Sequence, residues 1–302
     1  MSRTAIWLEA ARLRTLPLSV SGIIMGNGLA YVQGSFSWLI FILCLLTTVA
    51  FQVLSNFAND YGDGVKGTDN DQRVGPQRVF QQGLLSRAEL KRGIRITVVV
   101  SLVFVFVLVA LAFDFTQWLN AILFVLLGIA SVVAAIKYTV GKNAYGYFAL
   151  GDLFVFLFFG GLSVLGSHYL QTKIVDFSLF LPAAAIGCFS VAVLNLNNLR
   201  DMENDLSSNK ITVPILLGFN GGKIYHYILL FIGFGLSAIY LFIHQTTPFN
   251  FLCLLMVFPI VKHVLRVHSS DGGQMLDPEL KIVALSTFFF SILFVLGFLI
   301  KI

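Results

Sequence analysis

The sequence predicts an all-α integral membrane protein, and three observations carry that prediction. Mean hydropathy is +0.86 and 57% of the 302 residues are hydrophobic. Only 12% are charged, too few to cover the surface of a soluble domain. Apolar runs of about 20 residues recur along the chain, the length that crosses a hydrocarbon core of roughly 30 Å. In lipid, backbone groups must satisfy one another, which leaves helices or a closed barrel. Runs such as ITVVVSLVFVFVLVALAF do not alternate, so helices are expected.

Nine spans are expected, in a single transmembrane domain covering residues 1–302. The first, near 16–33, has no small-residue cleavage site and turns straight into another span, unlike a signal peptide. The second, 36–59, ends among carboxylates. The third, 93–113, follows SRAEL, where Ser86 caps the helix and Glu89 completes a capping box. The fourth, 117–138, ends near Lys137 and Lys142. The fifth, 147–169, carries Asp152 about a turn and a half inside. The sixth, 177–200, ends in a second acidic cluster. The seventh, eighth and ninth fall near 224–244, 248–264 and 281–300. A re-entrant eighth segment would leave eight spans, but charge alternation favours nine.

Lysine and arginine set the orientation. Seventeen of them fall on alternate connections, among them Arg3, Arg12, Arg14, Lys66, Arg73, Arg78, Lys137, Lys142, Arg200 and Lys210. The opposite connections hold only Lys173 and Lys301. The positive-inside rule therefore puts the amino terminus and the long polar connections in the cytosol, at the inner (cytoplasmic) membrane. Cys44, Cys188 and Cys253 sit singly in apolar runs and read as small buried hydrophobes. No polybasic run with interleaved aromatics suggests nucleic acid. Tyr147 reads as an interfacial belt residue, and His168 as interfacial at the outer end.

Function gathers at two acidic clusters. NDYGDGVKGTDND, residues 59–71, ends the second span and holds four aspartates in thirteen residues. NLNNLRDMENDLSSNK ends the sixth. Asn197, Asp201 and Asp205 are spaced i, i+4, i+8, which puts them on one helical face. Asn59 and Asp63 share the i, i+4 relation, and Asp69 is expected to reach back through a loop loosened by Gly62, Gly64 and Gly67. Facing carboxylates repel unless a cation lies between them. Hard divalent cations take oxygen ligands, and Mg²⁺ commonly adds substrate phosphate to a few carboxylates. A diphosphate held through Mg²⁺ is therefore expected. Asp63, Asp201 and Asp205 are the candidate ligands, with Asn59, Asp60 and Asp69 as helpers, and Lys66, Arg73, Arg78, Lys137, Lys142, Arg200 and Lys210 are the neutralising cations. Alone, the first cluster would read as a solvated turn, and Asp201 and Asp205 as surface charges after a helix.

These residues resemble the UbiA superfamily of intramembrane prenyltransferases, along nearly the whole chain. That resemblance implies a bundle of eight or nine helices around a central cavity, with two aspartate-rich motifs that bind Mg²⁺ and an isoprenyl diphosphate. Asp201-x-x-x-Asp205 fits the second motif. The first departs from the commoner N-x-x-x-D-x-x-x-D, because Gly67 stands at the third position and aspartate arrives at Asp69. The longer glycine-rich form, with Arg73-x-Gly75-Pro76-x-Arg78 and YGYFALGDLFVFLFFG, resembles the 1,4-dihydroxy-2-naphthoate polyprenyltransferases of menaquinone synthesis. It implies transfer of a polyprenyl group from polyprenyl diphosphate to 1,4-dihydroxy-2-naphthoate with decarboxylation. Asp152 is then a candidate to orient or deprotonate a ring hydroxyl, unless it pairs with Lys137 or Lys142. The alternatives are a related enzyme using 4-hydroxybenzoate or homogentisate, or a secondary transporter. A transporter would gather its ionisable residues near the midplane rather than at one mouth. A CDP-alcohol phosphotransferase would need a D-G-x-x-A-R signature, which is absent.

Overall fold

The computed structural model describes residues 1–70 and 73–300. Asp71, the last aspartate of the first cluster, and Lys301 lie outside the described residues. Among the described residues there is no β-strand, only an isolated parallel bridge between Phe148 and Ile211. Nine helical stretches there are long and apolar enough to cross a membrane: Arg3–Val32, Trp38–Lys66, Arg87–Ala112, Phe115–Lys137, Gly151–Thr172, Phe177–Arg200, Val213–His244, Pro248–Ser269 and Gly273–Leu299.

Several ends differ from expectation, for local reasons. The first helix starts at Arg3, where the Ser2 side chain accepts from the Ala5 amide, and it breaks at Arg12, whose φ is +49°. The second runs through its acidic residues to Lys66 and stops at Gly67, with φ +78°. The fifth begins at Gly151, so Asp152 lies in its first turn rather than a turn and a half inside. The seventh reaches back to Val213 across a kink at Gly218. The expected capping box holds: the Glu89 amide donates to Ser86 Oγ and the Ser86 amide to Glu89 Oε2.

The chain forms two compact units. One comprises Met1–Leu16, Ile42–Gly151 and Asp201–Thr212. Its apolar centre joins Ile6, Ala10, Ala11 and Phe57 to Val79, Leu85 and Leu90. Val79 and Leu85 are the apolar pins of the long polar connection, and they fix where its arginines sit.

The other unit comprises Pro17–Phe41, Asp152–Arg200 and Val213–Ile302. Its helices approach through small residues. A methyl group on Gly22 or Gly26 would collide with Ser163 or Ser167, and one on Gly160 would lie 2.5 Å from the Ala183 carbonyl oxygen. Such contacts let backbones close in lipid, where apolar surface alone does not drive association. Residues Phe156–Gly166, which include Gly160 and Ser163 of this contact, are wound as π-helix. A buried polar chain ties the last three helices: His226 Nε2 meets His263 Nε2 at 2.8 Å, and His263 Nδ1 donates to Glu279 Oε2 at 2.6 Å. Arg266 Nε donates to Glu279 Oε1 at 2.6 Å. His168, expected at the interface, is buried with Nε2 2.9 Å from Gln33 Oε1. The three cysteines are buried and unbridged.

Candidate active site

The carboxylates of both acidic clusters belong to the first unit and are sunk in it. Asp60, Asp63, Asp201 and Asp205 are each 4% exposed or less. Charge at that depth needs partners. Asp60 Oδ1 accepts from Arg12 and, at 3.1 Å, from Arg78 Nη1. Arg78 also reaches Asp63 at 3.7 Å and Asp69 at 3.4 Å. Arg73 bridges Asp69 at 3.2 Å and Asp201 at 3.8 Å, joining the two segments. Lys210 Nζ lies 3.1 Å from Asp205 Oδ2. Lys66 Nζ stands 3.6 Å from the centroid of the Tyr147 ring.

Local structure explains these positions. Helix continues through Asn59, Asp60 and Asp63, so Gly62 and Gly64 do not loosen the chain as expected. They admit close neighbours: a methyl on Gly62 would lie 2.5 Å from Thr139 Oγ1, and one on Gly64 2.1 Å from the Phe80 ring. Thr139 Oγ1 in turn donates to Asn59 Oδ1 at 3.2 Å. After Gly67 the chain doubles back, with the Thr68 and Asp69 amides both donating to the Asp63 carbonyl. Asp69 does therefore return to the cluster, by a turn at the helix end. The second segment breaks at Asp201 and restarts as a short helix, Met202–Ser207. The Ile211 amide donates to the Tyr147 carbonyl, which pins the chain just beyond Lys210.

The electrostatics are those of crowded anions. Burial, with help from the Asp201 and Asp63 carboxylates, pushes Asp205 up to about 6 against the opposing pull of Lys210. Asp69 is likewise raised, by burial and by Asp63, against Arg78 and Arg73. Burial works against the charge of Lys210, but Asp205 and Asp63 outweigh it and hold the ammonium above its ordinary range. Buried Asp60 Oδ2 and Asp69 Oδ2 have no hydrogen-bond partner among the described residues. Buried carboxylate oxygens left without a donor are the hard ligand type that a divalent cation such as Mg²⁺ takes. Among the described residues no three acidic or imidazole side chains already stand close enough to share one ion. Arg73 and Arg78 reach the same carboxylates instead.

Other expected cations are elsewhere. Lys137 and Lys142 are exposed and make no ion pair among the described residues. Arg200 belongs to the second unit and pairs with Asp277 at 2.6 Å. Asp152, also in that unit, pairs with neither lysine; its Oδ2 accepts from the Tyr225 hydroxyl at 3.0 Å. Sequence reasoning missed Arg12, Thr68, Tyr147 and Asn204. Asn204 could have been suspected from its place between Asp201 and Asp205, and Arg12 as a cation at the mouth of an apolar span. Thr68 carried no signal.

Comparison with known proteins gives this geometry a family. The UbiA prenyltransferase family model matches residues 19–282. The chain belongs to the UbiA prenyltransferase family. It is 43% identical over 301 residues to the 1,4-dihydroxy-2-naphthoate octaprenyltransferase of Haemophilus influenzae, covering 98% of this chain and 96% of that protein. The enzyme of the same name from Escherichia coli K12 is 41% identical over 297 residues, 98% and 96% of the two chains. Among solved structures, a UbiA homolog from Aeropyrum pernix K1 superposes with a TM-score of 0.71 at 15% identity, over 95% of this chain and 98% of that one. A UbiA homolog from Archaeoglobus fulgidus bound to GPP and Mg²⁺ gives 0.67 at 15% identity, over 96% and 99%. The structural likenesses establish the fold.

Proposed function

We infer that this protein is a 1,4-dihydroxy-2-naphthoate polyprenyltransferase. It moves a polyprenyl group from polyprenyl diphosphate to the naphthoate ring with loss of the ring carboxylate, the step that yields demethylmenaquinone. The observation that carries the reading is 43% identity along essentially the full length of a relative of that name. The whole chain acts as one prenyltransferase domain, a reading supported by a family match that runs through both units.

Asn59, Asp60, Asp63, Asp69, Asp201 and Asp205 are the residues that would hold Mg²⁺. Bound there, it supplies Lewis-acid stabilisation of the charge that develops on departing diphosphate. Arg73, Arg78, Lys66 and Lys210 add preorganised positive charge for the same oxygens. Breaking the carbon–oxygen bond of the prenyl diphosphate leaves an allylic cation. An apolar, lipid-embedded setting shields it from water. The electron-rich ring carbon attacks, and carbon dioxide leaves from the same position. Asp152, held by Tyr225, is the group proposed to orient or deprotonate a ring hydroxyl.

The acidic mouth and amino terminus are cytosolic in the cytoplasmic membrane, a reading supported by seventeen basic residues on one set of connections against two on the other. Cysteines introduced at Gln77 and Ser207 should react with an impermeant thiol reagent from the cytosolic side, and one at Val175 from outside. Labelling of all three from one side rejects the orientation. The acceptor is tested by giving purified protein Mg²⁺, a polyprenyl diphosphate and competing aromatic acids, with lipid products read by mass spectrometry. Prenylated naphthoquinol is expected. Product from 4-hydroxybenzoate or homogentisate alone overturns the acceptor assignment.

A further inference from the structure

Tyr147 has no part in the chemistry above, yet it is buried against the cluster and makes three contacts there. Asp63 as a carboxylate can only accept, so the Tyr147 hydroxyl donates to Asp63 Oδ1, at 2.8 Å. The phenol oxygen is left to accept from Thr68 Oγ1, 2.7 Å away. The Thr68 carbonyl accepts from Asn204 Nδ2, also at 2.7 Å. Asn204 sits between Asp201 and Asp205. Thr68 thus stands between the two segments: its carbonyl is held by Asn204 of the second, and its hydroxyl feeds the Tyr147 that donates to a carboxylate of the first. The other face of the tyrosine carries the Lys66 ammonium.

The backbone that carries the ring is pinned. The Tyr147 carbonyl accepts from the Ile211 amide at 3.2 Å, and the Ala149 amide donates to the Ile211 carbonyl at 2.9 Å. Gly146 permits the turn, since a methyl there would lie 2.6 Å from the Tyr138 carbonyl oxygen. With Oδ1 engaged by Tyr147, Oδ2 of Asp63 faces the cationic side, 3.7 Å from Arg78 Nη2.

We propose that Tyr147 is a positioning residue that aims Asp63 and Lys66 together, and that the Thr68–Asn204 link makes the two acidic segments grip cation and diphosphate as one unit. This rests on the Mg²⁺–diphosphate reading given above. Partners of a metal ligand set its orientation and basicity, and losing one typically weakens metal binding about 10–100-fold.

The test uses full-length protein in detergent with a non-hydrolysable prenyl thiodiphosphate. It reads the Mg²⁺ concentration at which the analogue's rise in Tm is half complete. Tyr147→Phe keeps the ring beneath Lys66 and removes only the hydroxyl. Thr68→Val removes the hydroxyl that feeds it at nearly constant volume, and decides alone if the first variant fails to fold. Both should raise the half-saturating Mg²⁺ about tenfold, the low end of that range. Tyr145→Phe is the comparison, because its hydroxyl donates to the Ala134 carbonyl instead, and it should leave the midpoint unmoved. An unmoved midpoint in Thr68→Val and Tyr147→Phe overturns the inference, and so does an equal shift in Tyr145→Phe. A wild-type protein with no Mg²⁺-dependent rise overturns the cation reading itself, and this inference with it.

Discussion

Lys210→Met should destabilise the protein by an amount that grows with pH, and the structure sets both window and size. Lys210 Nζ is 3.1 Å from Asp205 Oδ2, with both side chains buried. Asp205 already titrates near 6 in the folded protein, above the 3.8 of an exposed aspartate. A raised folded value means the native state binds its proton more tightly than the unfolded chain. Its stabilising contribution is complete below 3.8 and is lost as pH rises through about 6. Removing the lysine removes the group that favours the carboxylate. A neighbouring opposite charge is worth roughly 1–3 pKa units, so the folded value moves up by about that much. Each unit corresponds to about 1.4 kcal/mol. At pH 5 native Asp205 is largely protonated with or without Lys210, and this pH-linked part of the difference is small. Between pH 6 and about 8 it should grow to roughly 1.4–4 kcal/mol and then level off. Lys210 stays charged throughout, so it adds no slope of its own. The assay is denaturation in detergent from pH 5 to 9, followed by fluorescence that includes Trp7, which packs edge-on against Phe57 in the same unit. Lys210→Arg should restore much of the loss. A difference between variant and wild type that stays flat, or shrinks as pH rises, would refute the electrostatic reading of this pair.

Asp63→Asn and Asp201→Asn should each cut turnover by about 10²–10³ while leaving the fold intact, and the double variant should lose far less than the product of the two, read from steady-state rates. Asp152→Asn should cost about 10²–10⁴ in turnover yet keep Mg²⁺-dependent protection by the prenyl diphosphate analogue; loss of that protection refutes a role confined to the acceptor. Gly62→Ala forces a methyl to within 2.8 Å of the Thr139 carbonyl carbon, which cannot rotate away, and should cost about 1–3 kcal/mol in denaturation. Glu279→Gln weakens the hold on both His263 and Arg266 and should cost about 1–3 kcal/mol; an unchanged unfolding midpoint would show that the buried chain is not stabilising.

Spans, and the ends at which chemistry gathers, are legible from sequence because hydropathy is a local property and bilayer thickness dictates the length it must persist. The Asp201-x-x-x-Asp205 spacing and the Ser86–Glu89 box are legible for the same reason, since helical geometry relates residues a turn apart. Helix boundaries in the polar mouth are not. Hydropathy falls at Asn59, but helix continues to Lys66 because Arg12, Arg78, Tyr147 and Thr139 satisfy the polar groups there. Only the tertiary structure decided which cations serve the carboxylates. Arg12 lies 48 residues before Asp60 and Tyr147 84 after Asp63, separations over which a chain carries no pairing signal. Arg200 and Lys210 look equivalent in the sequence, both beside the second acidic segment. Arg200 pairs with Asp277 in one unit while Lys210 pairs with Asp205 in the other. Tertiary placement makes that choice: the Lys210 amide turns back onto the Asp205 carbonyl and Ile211 is pinned to Tyr147, and a buried charge then takes the nearest opposite one its backbone allows.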